Sequence, residues 1–132
     1  MSFRFPIRVY FEDTDFSGRV YHGAYVHFLE RGRTEWLRAK GVDHVALAAA
    51  DPPLFFALRE MTLRFRGPAV IDDLLEVETR VAGQKRAVIL LDQRVLKADT
   101  AIVEARVELC LIDAAGRPAR PPQAVRQAVM DG

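Results

Sequence analysis

Three carboxylates, Glu12, Asp13 and Asp15, fall within the run Glu12-Asp13-Thr14-Asp15-Phe16-Ser17-Gly18, and His22 and Gly23 follow shortly after. A carboxylate can act as a nucleophile or as a general base on water. A helix N-terminus offers unpaired backbone N–H groups and a partial positive charge that stabilise a developing oxyanion. Together they can hydrolyse an ester, provided that a helix begins near His22. The same acids could instead serve only to cap that helix and solvate a loop.

Competing chemistries are poorly served by the rest of the chain. Ser2 and Ser17 are the only serines, and neither sits in the Gly-x-Ser-x-Gly turn that exposes a hydrolase nucleophile. Cys110 is the sole cysteine, which excludes an intrachain disulfide and any multi-cysteine metal centre; inside an apolar strand pattern it reads as a packing residue. His22 and His27 are five apart, a poor spacing for two ligands on one helical face, so no metal site is expected. No glycine-rich phosphate loop is present. Nineteen Lys and Arg against eighteen Asp and Glu leave a formal charge of +1, too even for the basic face that nucleic-acid binding needs.

With 132 residues, 50% of them hydrophobic, the chain is expected to form one domain over 1–132. Charge and Pro6 interrupt the apolar run that a signal peptide would need, and the longest apolar stretches, such as 42–50, fall short of the ~20 residues that span a bilayer. A cytoplasmic protein without membrane insertion is expected, and the lone cysteine suits a reducing compartment.

Periodicity predicts the elements that must position the acidic loop. Phe3, Phe5, Ile7, Val9 and Phe11 alternate with polar neighbours, which predicts a strand over 3–11 with one buried face; Pro6 places it at a sheet edge. After the loop the period changes. Tyr25, Phe28, Leu29, Gly32 and Trp36 form one helical stripe flanked by Val26 and Leu37, with Arg31 and Glu35 able to pair at i,i+4 and Lys40-Gly41 as the stop. This helix is predicted to be about 18 to 20 residues and roughly 30 Å long. A short helix over 43–50, capped by Asp43, ends at Asp51-Pro52-Pro53.

The remainder reads as strands. One passes through Met61, Leu63 and Phe65 to Gly67-Pro68, and another through Leu75, Val77, Thr79 and Val81 to a turn at Gly83-Gln84-Lys85. A strand over 86–97 comes next, then one through Val103, Ala105, Val107, Leu109 and Leu111. A proline-rich segment precedes a short helix over 123–130. The order predicts an α+β fold, an antiparallel meander of about five strands wrapped around one long central helix, which is the hot-dog architecture. Gly32 on the apolar stripe suits a close approach of helix to sheet.

The run Tyr10-Phe11-Glu12-Asp13-Thr14-Asp15-Phe16-Ser17-Gly18-Arg19-Val20-Tyr21-His22-Gly23-Ala24-Tyr25-Val26 resembles the opening motif of the hot-dog acyl-CoA thioesterases of the 4-hydroxybenzoyl-CoA thioesterase family. The match is best to the branch associated with the Tol-Pal system. Phe65-Arg66-Gly67-Pro68-Ala69, Asp72-Asp73-Leu74-Leu75-Glu76-Val77 and Gly116-Arg117-Pro118 extend the resemblance over nearly the whole chain. It implies that Asp15 is the catalytic carboxylate, as nucleophile or as general base. It further implies that the backbone N–H of His22, with Gly23 as neighbour, polarises the thioester carbonyl, that the His22 side chain takes part, and that Tyr21 and Tyr25 help to bind substrate. Asp13 is read as a loop-stabilising residue. Relatives of this branch carry a tyrosine where this chain has Phe11, and Tyr10 points to the opposite face of a strand, so a hydroxyl grouped with that site is missing.

The implied substrate is an aromatic or a short-to-medium aliphatic acyl-CoA, hydrolysed without a cofactor. Its phosphates would meet Arg64, Arg66, Lys85, Arg86 or Lys97. The resemblance implies dimers, which often double into tetramers, with active sites at the subunit interface. Phe55, Phe56, Leu58 and Met61 are candidates for the acyl pocket, the dimer contact or plain core packing. Two other readings remain open: a catalytically weak module that binds an acyl thioester or a protein partner, and a hydratase of enoyl thioesters.

Overall fold

A computed structural model describes residues 2–130. Strand β1 (Phe3–Arg8) leads through a 3-10 turn (Phe11–Asp13) and the acidic loop into the long helix α1 (His22–Ala39), then the short helix α2 (His44–Ala48). Four long strands come next, β2 (Phe55–Phe65), β3 (Leu74–Lys85), β4 (Val88–Lys97) and β5 (Thr100–Ile112), then a two-residue strand β6 (Pro118–Ala119) and helix α3 (Gln123–Met130). All strand pairs are antiparallel, in the order β1-β3-β4-β5-β2, with β6 beside β5. The helix-filled sheet is the hot-dog fold. Among the described residues no helix is long and apolar enough to cross a membrane.

Only β3, β4 and β5 form a meander, which corrects the simple strand order expected from the sequence. The connection through α1 carries the chain across the sheet, so β1 and β2 end at opposite edges. Pro6 sits on edge strand β1, whose sole sheet partner among the described residues is β3.

The apolar stripe of α1 packs into the core, with Phe28 and Leu29 wholly buried and Tyr25, Trp36 and Leu37 nearly so. Each such side chain contributes roughly 1.5–3 kcal/mol through burial. Val26 departs from the expected stripe and is exposed. Glu35 pairs with Arg38 at 2.7 Å, one turn onward, and not with Arg31. Gly41 ends the helix at φ +80°, and Asp43 caps α2 by accepting from Val45 N at 2.7 Å and Ala46 N at 3.3 Å. At Gly32 a Cβ would collide with Val77 Cγ1 and lie 2.9 Å from Val77 Cβ, so the helix rests directly on β3.

Two irregularities displace predicted boundaries. The β2–β5 register shifts between Leu58 and Glu60, and the β3–β4 register between Val81 and Gly83. At each bulge one extra residue reverses the in–out alternation. Strand β2 therefore begins at Phe55, well before the alternation that starts at Met61, and Gly83-Gln84-Lys85 stays within β3. The turn falls at Arg86 and Ala87, where Arg86 takes φ +59°. Similarly, β1 stops at Arg8, and Phe11 leaves the stripe to stand 80% exposed in the 3-10 turn.

Candidate active site

The acidic loop folds through short-range hydrogen bonds. Asp15 N donates to Arg19 O at 2.9 Å, Gly18 N donates to Asp15 O at 2.9 Å, and Thr14 and Val20 bridge across the turn. Gly18 takes φ +82°, which a side chain would resist. The turn is docked by Val20 N donating to Ala69 O at 2.9 Å and by an Arg19–Val70 bridge. Asp13 ties the loop at both ends: its Oδ2 accepts from Tyr10 N at 2.8 Å, and its carbonyl accepts from Tyr21 N at 2.8 Å.

Asp15 is exposed, and its Oδ1 accepts from Ser17 N at 2.8 Å and Ser17 Oγ at 2.6 Å. These two bonds, with help from the nearby His22 and Arg19, hold its carboxyl below the usual carboxylate range. Sequence alone assigns Ser17 no role beyond ruling it out as a nucleophile. The Asp-x-Ser spacing of an Asx turn is the signal for its contact with Asp15.

Helix α1 begins at His22, and its N-cap, Tyr21, makes no side-chain capping bond. Among the described residues no side chain caps the N–H donors of the first turn. The Tyr21 ring lies 4.4 Å from the His22 ring, centroid to centroid. A Cβ on Gly23 would crowd the Tyr21 ring, 3.1 Å from Cδ2 and 3.2 Å from Cζ, so glycine leaves room for it.

Asp15, Ser17, Arg19 and His22 form the polar side of a cleft of about 540 Å³, and Tyr25 and Phe65 form part of its apolar side. Tyr25 is 3% exposed, its ring 5.9 Å from that of Phe65; burial, then the charge of Asp73, pushes its phenol pKa up. Arg19 and Phe65, neither assigned a role from the sequence, reach this cleft.

Asp15, His22 and Tyr25 are thus brought together, with Tyr21 and Gly23 at the adjoining helix start. The proposed phosphate contacts are dispersed within the chain. Arg64 ends a cross-strand row on the sheet's outer face, Arg4–Glu78–Arg94–Glu104–Arg64, in which charge alternates from strand to strand. Arg66 pairs with Glu104, and Lys97 with Asp73 at 2.8 Å. Lys85 and Arg86 lie at the far end of β3 from Leu74, eleven residues on at ~3.3 Å each. Cys110 faces Ala57 across the β2–β5 pair.

The wrapped helix and the carboxylate beside its N-terminus define a thioesterase-like protein. Residues 9–129 match the thioesterase-like superfamily, and the chain belongs to it. It is 40% identical over 112 residues to the acyl-CoA thioester hydrolase YbgC of Escherichia coli, covering 84% of this chain and 82% of that one. It is 39% identical over 127 residues to the acyl-CoA thioesterase YbgC of Haemophilus influenzae, covering 96% and 93%. A probable thioesterase from Bartonella henselae superposes with a TM-score of 0.90 at 42% identity, over 92% of this chain and 100% of that one. Within the superfamily the chain falls in the Tol-Pal-associated branch of acyl-CoA thioesterases, and it is an enzyme of the thioester-hydrolase class.

Proposed function

We propose that the protein hydrolyses aromatic, 4-hydroxybenzoyl-like, or short-to-medium aliphatic acyl-CoA at the Asp15 cleft. The observation that carries this reading is an exposed carboxylate, accepting two hydrogen bonds from Ser17, that shares a cleft with the uncapped start of α1. The thioester carbonyl points at the His22 and Gly23 N–H groups, which take up the developing negative charge. Asp15 either attacks the carbonyl carbon, expelling the thiolate and forming a mixed anhydride that water opens, or removes a proton from the attacking water. Thiolate leaves readily, so a strong general acid is not required, and the reaction draws on no cofactor. Coenzyme A enters as part of the substrate, which suits a cytoplasmic enzyme.

The working unit in this reading is a homodimer, which can double again. Among the described residues strand β2 pairs with β5 on one side only, and Phe55, Leu58 and Phe65 along it are exposed. A long apolar edge of this kind invites an identical strand. Phe11 supports the second reading, a weakly catalytic binding module, because it brings no hydroxyl to the loop.

Thiol release from a panel running from 4-hydroxybenzoyl-CoA to short and long aliphatic acyl-CoAs tests the proposal. Asp15→Asn keeps shape and removes charge, and a loss of about a hundredfold or more is expected. Equal activity in both proteins would remove Asp15 from the mechanism, and none in either would favour the binding module.

A further inference from the structure

A second cavity, of about 340 Å³, opens between α1 and the N-terminal part of β2. Leu37, Phe56 and Leu58 supply apolar wall, and Glu30, Arg33 and His44 its polar groups. Arg33 is only 7% exposed, and among the described residues it has no carboxylate within ion-pairing distance. Its Nη1 donates to Gln93 Oε1 at 3.0 Å. Gln93 Nε2 in turn donates to Thr79 Oγ1 at 2.9 Å and to Leu29 O at 3.1 Å, which turns the amide oxygen toward the guanidinium.

No buried side-chain nitrogen or oxygen among the described residues lacks a partner, so the guanidinium nitrogens that Gln93 does not bind are not sealed in the core, and Arg33 lines the cavity. Burial works against the guanidinium's charge, and Glu30 supports it only from beyond ion-pairing distance. A guanidinium locked by packing and by an oriented amide, beside the apolar surface of Leu37, Phe56 and Leu58, is built to recognise an oxygen acceptor.

The cavity is separate from the Asp15 cleft. The cleft borders Phe65 at the C-terminal end of β2, whereas the cavity borders Phe56 and Leu58 near its start. Six residues of strand lie between Leu58 and Phe65, a rise of roughly 23 Å. The bulge at Arg59 nonetheless keeps Phe56 and Leu58 on the same helix-facing side as Met61, Leu63 and Phe65. Antiparallel pairing of two β2 edges about their midpoint reverses one strand against the other. It sets the cleft of one copy beside the cavity of the second.

We infer that Arg33 is a specificity-determining residue that selects acyl groups carrying an oxygen acceptor, above all a carboxylate, at the end remote from the thioester; this rests on the thioesterase and β2-dimer reading above. The decisive comparison is between matched substrates that differ only in that terminus: succinyl-CoA against butyryl-CoA, and adipyl-CoA against hexanoyl-CoA. In the wild type at least one pair shows a kcat/KM ratio of about 10 to 100 in favour of the carboxylate. Arg33→Met brings the ratio close to one, and Arg33→Lys restores part of it.

A wild-type ratio at or below one in both pairs overturns the inference, whether or not Arg33→Met folds. So does an Arg33→Met variant that slows both members of a pair in step, the mark of a purely structural role. Calorimetric binding to Asp15→Asn separates this inference from the reading beneath it. Preference for the carboxylate in binding without turnover in the wild type would keep Arg33 as the selector and reject the hydrolase reading. Turnover without any preference would do the reverse.

Discussion

Replacing Gly32 by alanine is expected to destabilise the protein by about 2 kcal/mol, a balance of two opposed effects. Alanine favours a helix interior over glycine by about 1 kcal/mol. Against this, the new methyl would overlap Val77 Cγ1 and sit 2.9 Å from Val77 Cβ, where contact is ordinary only beyond 3.4 Å. Overpacking costs about 1–3 kcal/mol, and the upper end applies because Val77 is wholly buried, stiff at χ1 and held between β1 and β4. At about 2.1 cal/mol/K for each of 132 residues, the unfolding entropy converts 2 kcal/mol into a fall of about 7 °C in Tm. Thermal unfolding followed by circular dichroism at fixed protein concentration reads this directly. Combining the change with Val77→Ala should recover much of the loss, because the added methyl then fills space that the valine vacates. A Gly32→Ala protein as stable as the wild type would show that α1 can lift from β3 at little cost.

Ser17→Ala should move the acid limb of kcat/KM upward in pH. In the proposed mechanism the hydrolysis needs Asp15 ionised, and hydrogen bonds from Ser17 favour that form, so wild-type activity should persist as pH falls from neutrality and fail only below the usual aspartate range. Losing the hydroxyl leaves only the backbone bond, and an unmoved limb would assign it to another group. Light scattering on the wild type should return a multiple of the chain mass that Leu58→Glu reduces by charging the β2 edge; a monomeric wild type would reject the dimer.

The acidic loop and the start of α1 were legible in the sequence because local forces form them. Turn-forming residues, an Asx turn and a glycine with positive φ act within a few positions, and the stripe from Tyr25 to Trp36 repeats at the helical period. The extent of β2 and the turn after β3 were not legible. A bulge reverses alternation, and a period of two read across it finds a strand end or a turn where the chain stays extended. Phe11 illustrates the same limit, since apolar alternation continues after the backbone has left the sheet.

Sequence by itself determined that a carboxylate loop feeds a long amphipathic helix and that most of the chain beyond that helix forms a sheet, because both patterns are carried by neighbours along the chain. Tertiary structure decided which strands lie at the edges, that Arg19 and Phe65 share a cleft with Asp15, and that Lys85 and Arg86 end at the far end of β3. It also joined Arg33 to Gln93, sixty positions apart, and to Thr79 through that amide. Such partners are chosen by strand pairing and by the close seat of α1 at Gly32, which are long-range contacts that no local period records.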